Sequence, residues 1–189
     1  MTTFVILLRG ITPTGKNKVP MALLRTALTK AGLKDVRTYI QSGNVIASSE
    51  LTQAALERRV HEIIRRNFGG DIAVVARTAG QFAGILKRNP FADAEGARLY
   101  FTLFATAPDK KLLKEFLSTD FAPDQVRFVK STLYTLYATK HSDSKFNNNF
   151  FERKLKVSAT TRNLNTMVSL VALSTGQQGA PVNAKKRRG

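Results

Sequence analysis

The sequence predicts an α+β protein made of two ferredoxin-like (βαββαβ) halves in tandem, the second modified by a C-terminal helix. Three observations predict it. A strand, helix, hairpin, helix, strand pattern runs to about residue 77,. The same order starts again near residue 98 and continues through five elements. The opening strand of each half carries apolar residues on both faces, Phe4, Ile6 and Leu8 against Val5 and Leu7, then Leu99, Phe101 and Leu103 against Tyr100 and Phe104, so both faces need covering and the other half is the economical cover.

In the first half, Phe4 to Arg9 reads as a strand. Pro20 then stands where a first-turn proline is tolerated, ahead of Leu23, Leu24, Ala27, Leu28 and Ala31 at helical spacing, and Gly32 stops that helix,. Short strands over 36–40 and 44–47 flank Gln41-Ser42-Gly43, a hairpin signal,. Leu56, Val60, Ile63, Ile64 and Phe68 line one face of a second helix that ends at Gly69-Gly70, and Ile72, Val74 and Ala76 alternate in a strand,. A short helix with Phe82, Ile85 and Leu86 closes this half. The division is therefore 1–88 for the first subdomain, 89–97 for a linker beginning at Asn89-Pro90, 98–175 for the second subdomain and 176–189 for a disordered basic tail,.

In the second half, a strand over 99–105 precedes a helix lined by Leu112, Leu113, Phe116 and Leu117. A hairpin follows across Lys130-Ser131-Thr132, and then a helix over 146–155,. No clear sixth strand is visible. The chain instead closes on Leu164, Met167, Val168, Val171 and Ala172, an apolar helical face,.

Composition narrows the function classes. With 43% hydrophobic residues, 189 residues can bury a real core, and the absence of cysteine excludes disulfides and thiolate metal sites,. No segment approaches the roughly 20 apolar residues of a membrane span, so the expected setting is cytoplasmic, with no membrane partner. The net charge is +17; the tail Lys185-Lys186-Arg187-Arg188 supplies four of it, leaving 17 − 4 = 13 on the rest. Nucleic acid or another phosphate-bearing ligand is the expected partner. His61 and His141 lack ligand-spaced companions and read as surface residues, so no metal is expected, and no cofactor is implied,. Base readout on an open sheet is excluded by the third strand, NVIAS, which lacks the aromatic signature of RNA-recognition domains,.

The stretch RGITPTGKNK, residues 9–18, nearly spells the phosphate-cradling loop G-x-x-x-x-G-K-[ST],. Asn17 replaces the magnesium-binding hydroxyl, Pro13 stiffens the loop, and the helix starts near Pro20 instead of at the lysine. Nucleoside-triphosphatase chemistry is therefore excluded. What remains is an anion site in which Arg9, Lys16, Asn17 and Lys18 surround a glycine-hinged loop before a helix. A second cluster, 154–163, reads KLKVSATTRN. Thr161, Arg162 and Asn163 either cap the following helix or, with nearby lysines, hold a phosphate or carboxylate at its start. Asn147-Asn148-Asn149 either presents amides to a base or sugar or opens a helix packed by Phe150 and Phe151.

LLRGITPTGKNKVPMALLRTAL, AGLKDVRTYIQSGNVI and FFERKLKVSATTRNLNTMVSL, taken in order, resemble a widespread, mainly bacterial family of uncharacterised proteins, the domain of unknown function numbered sixteen ninety-seven. The likeness runs over residues 3–174. It implies two ferredoxin-like halves and no established reaction. Such proteins typically read R-G-I-N-V-G-G-K-N-K where this chain has Thr12, Pro13 and Thr14, and carry tryptophan where Leu164 stands. The positions that agree with the family pattern include Arg9, Lys16, Asn17, Lys18, Gln41, Ser42, Asn44, Thr161, Arg162 and Asn163. If the blocks converge, Gln41, Ser42 and Asn44 orient a ligand whose anionic group the basic residues hold.

Two functions follow as expectations. The first is a basic polyanion-binding module that contacts nucleic-acid backbones. The second is a small anionic-ligand protein or enzyme with its site between the two halves. A distributed basic stripe favours the first and a concave pocket enclosing the three blocks the second.

Overall fold

The computed structural model describes residues 1–12, 14–15, 17–94 and 96–176. The proposed tail beyond Gly176 and the candidate Lys16 lie outside the described residues. The first run of elements is β1 (Thr2–Leu8), α1 (Met21–Lys30), β2 (Lys34–Tyr39), β3 (Asn44–Ser49), α2 (Gln53–Phe68), β4 (Val74–Thr78) and α3 (Ala79–Lys87). The second repeats the order: β5 (Leu99–Phe104), α4 (Lys110–Leu117), β6 (Gln125–Val129), β7 (Thr132–Leu136), α5 (Asn148–Leu155), β8 (Ala159–Asn163) and α6 (Leu164–Thr175). The protein is thus α+β, with two four-stranded antiparallel sheets ordered β2-β3-β1-β4 and β6-β7-β5-β8.

The reading of a second half whose sixth element is not a clear strand is corrected by β8, its fourth strand. Its sequence, ATTRN, has no apolar alternation because its polar side chains find partners: Thr161 meets Thr102 of β5 at 2.8 Å, and Arg162 reaches carbonyls of the first half. The two threonines favour extended backbone, but the same residues also cap helices. Capping falls to Asn163 alone, whose Oδ1 accepts from the Thr166 amide at 2.9 Å,.

Each sheet is apolar on both faces because each is covered twice. Phe4, Ile6 and Leu8 of β1 pack under α1 and α2 with Leu24, Leu28, Leu56, Val60 and Ile64. Val5 and Leu7 point the other way and share one core with Phe101 and Leu103 of β5, Phe82 and Ile85 of α3, and Met167 and Leu170 of α6. Phe104, Phe116, Phe146 and Phe151 fill the remaining layer beneath α4 and α5. The order through the molecule is helices, sheet, the α3 and α6 pair, sheet, helices. Tyr134 of β7 ties the halves by donating to the Ile85 carbonyl at 2.8 Å. No helix among the described residues is long and apolar enough to cross a membrane.

The outer edge of each sheet is met by a glutamate. Glu57 of α2 accepts the Ala76 amide of β4 at 2.7 Å, and Glu152 of α5 accepts the Ala159 amide of β8 at 2.7 Å. Burial pushes the Glu57 pKa up, opposed by the Ala76 amide and by Arg77, 3.7 Å away.

Candidate functional site

Three chain segments far apart in sequence meet at one cleft of about 290 Å³ where the two sheets adjoin. The end of β1 brings Arg9, Gly10 and Ile11, the β2–β3 turn brings Ser42, and β8 brings Thr160, Thr161 and Arg162. The join is made by Arg162. Its Nε donates to Asn44 Oδ1 at 2.6 Å, Nη1 to Thr160 Oγ1 at 2.7 Å and to the Thr161 carbonyl at 2.9 Å, and Nη2 to the carbonyls of Leu8 and Ser42, both at 3.0 Å, and of Gly43 at 3.4 Å. Every acceptor is neutral. Protein atoms enclose the guanidinium, while the residue keeps part of its surface and lines the cleft. Burial pushes its pKa down to about 10, so it stays charged at neutral pH,.

The turn is shaped for this contact. Gly43 has φ +75°, and a Cβ there would sit 2.5 Å from Ile11 Cγ1 and 2.8 Å from Leu8 Cβ, so only glycine lets the turn lie on the end of β1. Asn44 is fully buried; its Nδ2 donates to the Tyr39 carbonyl at 3.1 Å and to Ser42 Oγ at 2.8 Å, which aims its Oδ1 at Arg162.

The other candidates divide between the cleft and the scaffold. Arg9 reaches the cleft, but its charge is balanced by Glu152 through a bidentate pair of 2.7 and 2.6 Å, and that bond raises its pKa,. Its Nη2 also donates to Asn149 Oδ1 at 3.2 Å. Thr161 donates to Asn148 Oδ1 at 2.9 Å. Asn17 closes the preceding loop on the Gly10 carbonyl at 3.1 Å, while Lys18 is exposed and bridges Thr12. Gln41 donates to the Val19 carbonyl at 3.2 Å. Asn17, Lys18, Gln41, Asn44 and Asn163 do not line the cleft. The first helix begins at Met21, well beyond the loop. Leu164, where the family pattern has tryptophan, packs into the core between the sheets, and a Cβ on Gly96 would come within 2.6 Å of its Cδ2.

Sequence reasoning missed two cleft residues. Tyr100 of β5 and His141, in a short 3-10 turn after β7, stack with ring centroids 4.5 Å apart and 15° between their planes. His141 is thus half-buried, not a surface residue, because Tyr137 meets it edge-on at 5.0 Å. The triple-asparagine stretch was the local signal for this wall, since Asn148 and Asn149 also line it. Among the described residues no group of three or more His, Cys, Asp or Glu could hold a metal.

Burial lowers the His141 pKa below its ordinary 6.5. Between the folded-state value and 6.5 the unfolded chain holds a proton that the folded protein does not. Stability is therefore expected to fall as the pH drops through that window, the loss being complete below the folded-state value. Thermal melts at a series of pH values, comparing wild type with His141→Gln, check this. The expected difference between the two proteins is pH-dependent, and a constant difference rules the linkage out.

Fold and cleft together define an α+β protein of two antiparallel sheets with a polar, cation-backed cleft at their junction. A family model described as protein of unknown function (DUF1697) matches residues 1–134, and the chain belongs to that family. The matched span ends in β7, so the Thr161-Arg162-Asn163 block lies beyond it. In structure the chain is similar to the conserved bacterial protein SP0830 from Streptococcus pneumoniae, with a TM-score of 0.77 and 23% identity over 93% of this chain and 99% of that one. At that identity the likeness is one of fold. No curated protein matches the chain.

Proposed function

We propose that the protein binds a small anionic ligand in the cleft where its two halves meet. The observation that carries this is Arg162. Enclosing a charge costs several kcal/mol unless an opposite charge answers it, and no carboxylate among the described residues pairs with this guanidinium. Six hydrogen bonds satisfy its donors without neutralising it. The uncompensated field favours an anion in the adjoining cleft, whose lining includes Ser42, Gly10 and Ile11. Arg9 adds little net charge because Glu152 balances it; its contribution is to hold the loop in place.

Each half is read as a ferredoxin-like unit. Support comes from the antiparallel order β2-β3-β1-β4 and its counterpart β6-β7-β5-β8, joined by helices between the first and second and the third and fourth strands.

Titration of the full chain with inorganic phosphate, followed by amide NMR, tests the anion reading. Saturable shifts are expected at Gly10, Ser42 and Thr161. In Arg9→Gln, where Glu152 is left unbalanced beside the cleft, binding is expected to weaken about tenfold. Shifts that never saturate, or that spread over exposed lysines instead, overturn the reading.

One observation favours the polyanion reading: Arg58, Arg59, Arg65 and Arg66 are exposed on α2 as two pairs seven residues apart, hence on one helix face,. On that reading a labelled duplex binds with affinity that falls steeply with salt and is lost when the four are changed to glutamine.

A further inference from the structure

The cleft lining is of two kinds. One is the polar group of Arg162, Ser42 and the end of β1. The other is aromatic, the parallel stack of Tyr100 on His141, with Tyr137 edge-on to both at 5.2 and 5.0 Å. Tyr137 is buried and donates to the Phe146 carbonyl at 2.6 Å, so it serves as a rigid backing. Tyr100 and His141 are partly exposed and belong to the cleft.

His141 is suited to offering a ring face more than a proton. Its Nε2 is shielded from solvent and has no hydrogen-bond partner among the described residues, and burial favours the neutral imidazole. The groups around it are the phenols of Tyr100 and Tyr137, with the cations Arg9 and Arg162 also lining the cleft; Asp124 is held away by the Ser144 hydroxyl and the Ala138 amide. A neutral ring stacked on a tyrosine is an apolar, polarisable surface that receives another flat ring in offset stacking. At about 290 Å³ the cleft lies at the small end of ligand pockets,, which suits one ring with one anionic group and leaves little room for more.

We propose that the ligand of this cleft carries a flat aromatic or heteroaromatic ring next to its anionic group, the ring stacking on the Tyr100–His141 pair and the anion lying toward Arg162 and Ser42. This rests on the anion-binding reading of the same cleft and adds to it the class of molecule that the anion belongs to.

Phenyl phosphate and inorganic phosphate, titrated separately into the full-length protein at about pH 8, where both are mainly dianions, test it, since they then differ chiefly by the ring and the ester oxygen that carries it. Phenyl phosphate is expected to saturate the Gly10, Ser42 and Thr161 amides at a roughly tenfold lower concentration, the size of one aromatic stacking contact. It is also expected to move the ring protons of His141 while those of His61, the chain's other histidine, stay in place. In Tyr100→Leu the advantage of phenyl phosphate over phosphate is expected to vanish, and Tyr100→Phe is expected to restore it. The comparison of two ligands on the unaltered protein decides the question even if the leucine variant fails to fold. If both ligands saturate the same amides at the same concentration and His141 does not move, the ring assignment is wrong and the anion site stands. If neither ligand shifts those amides, the anion reading and the ring assignment fall together.

Discussion

Replacing Arg162 with methionine is expected to lower the unfolding free energy by about 3–5 kcal/mol, read as a fall in the urea midpoint at unchanged slope. Two effects oppose each other. Removing the guanidinium relieves the cost of holding an unanswered charge inside the protein, but it strands several acceptors at once, each worth about 1–3 kcal/mol when buried without a partner. Asn44 Oδ1 is fully buried, and the carbonyls of Leu8 and Ser42 sit at the junction of the sheets. Water entering through the cleft can satisfy some of these, not all, so the loss outweighs the relief. Arg162→Lys is expected to recover only part, because an ammonium has three donors and lacks the planar fork that reaches three directions. A loss below about 1 kcal/mol for the methionine variant would show that relief and stranding cancel.

Gly43→Ala is expected to cost about 2–5 kcal/mol, combining about 1–2 for a side chain in left-handed backbone with about 1–3 for overpacking. The overlap is with Ile11 Cγ1 and Leu8 Cβ, and the Leu8 atom belongs to the backbone-anchored end of β1 and cannot swing aside. The Gly43 carbonyl also accepts from the Leu8 amide at 2.8 Å and lies within 3.4 Å of Arg162 Nη2. The two substitutions therefore share partners and are expected to be non-additive by at least about 0.5 kcal/mol in a double-mutant cycle. Thermal and urea unfolding of the two single variants and the double variant measure both quantities. Strict additivity would mean that the turn and the guanidinium are independent supports.

What local pattern encodes was legible in the residues. The helical stripe from Leu56 to Ile64, the alternation of Val74 and Ala76 and the turn at Gln41-Ser42-Gly43 all appear as elements where burial or backbone freedom imposes a pattern. β8 escaped because its residues obey no apolar period: Thr161 and Arg162 are satisfied by hydrogen bonds across the molecule, and Thr and Asn favour caps as readily as strands. The three blocks of the cleft were visible separately as unusual strings, and their meeting is a matter of reach. Arg162 bonds to Leu8, 154 positions away, and to Asn44, 118 away. Its role also shifted for a geometric reason. Helix-start logic placed it among the residues that cap the last helix or hold an anion at its start, but Arg162 belongs to the strand before α6 and is turned toward carbonyls. His141 was misjudged because its burial is supplied by Tyr100 of β5 and by Tyr137 just after β7, which a lone histidine in a polar loop does not announce.

The paired glutamates carry a consequence for how molecules of this protein meet one another. A bare strand edge is a template on which a foreign strand can register its own carbonyls. At β4 and at β8 a side-chain carboxylate already occupies the place such a carbonyl would take. One rung of the ladder a newcomer would need is thus already taken on that flank of each sheet; the opposite flanks are formed by β2 and β6, and β2 breaks register between Lys34 and Arg37. In a chain of net charge +17, two of the thirteen acidic side chains are thus spent on making strand edges poorer templates,.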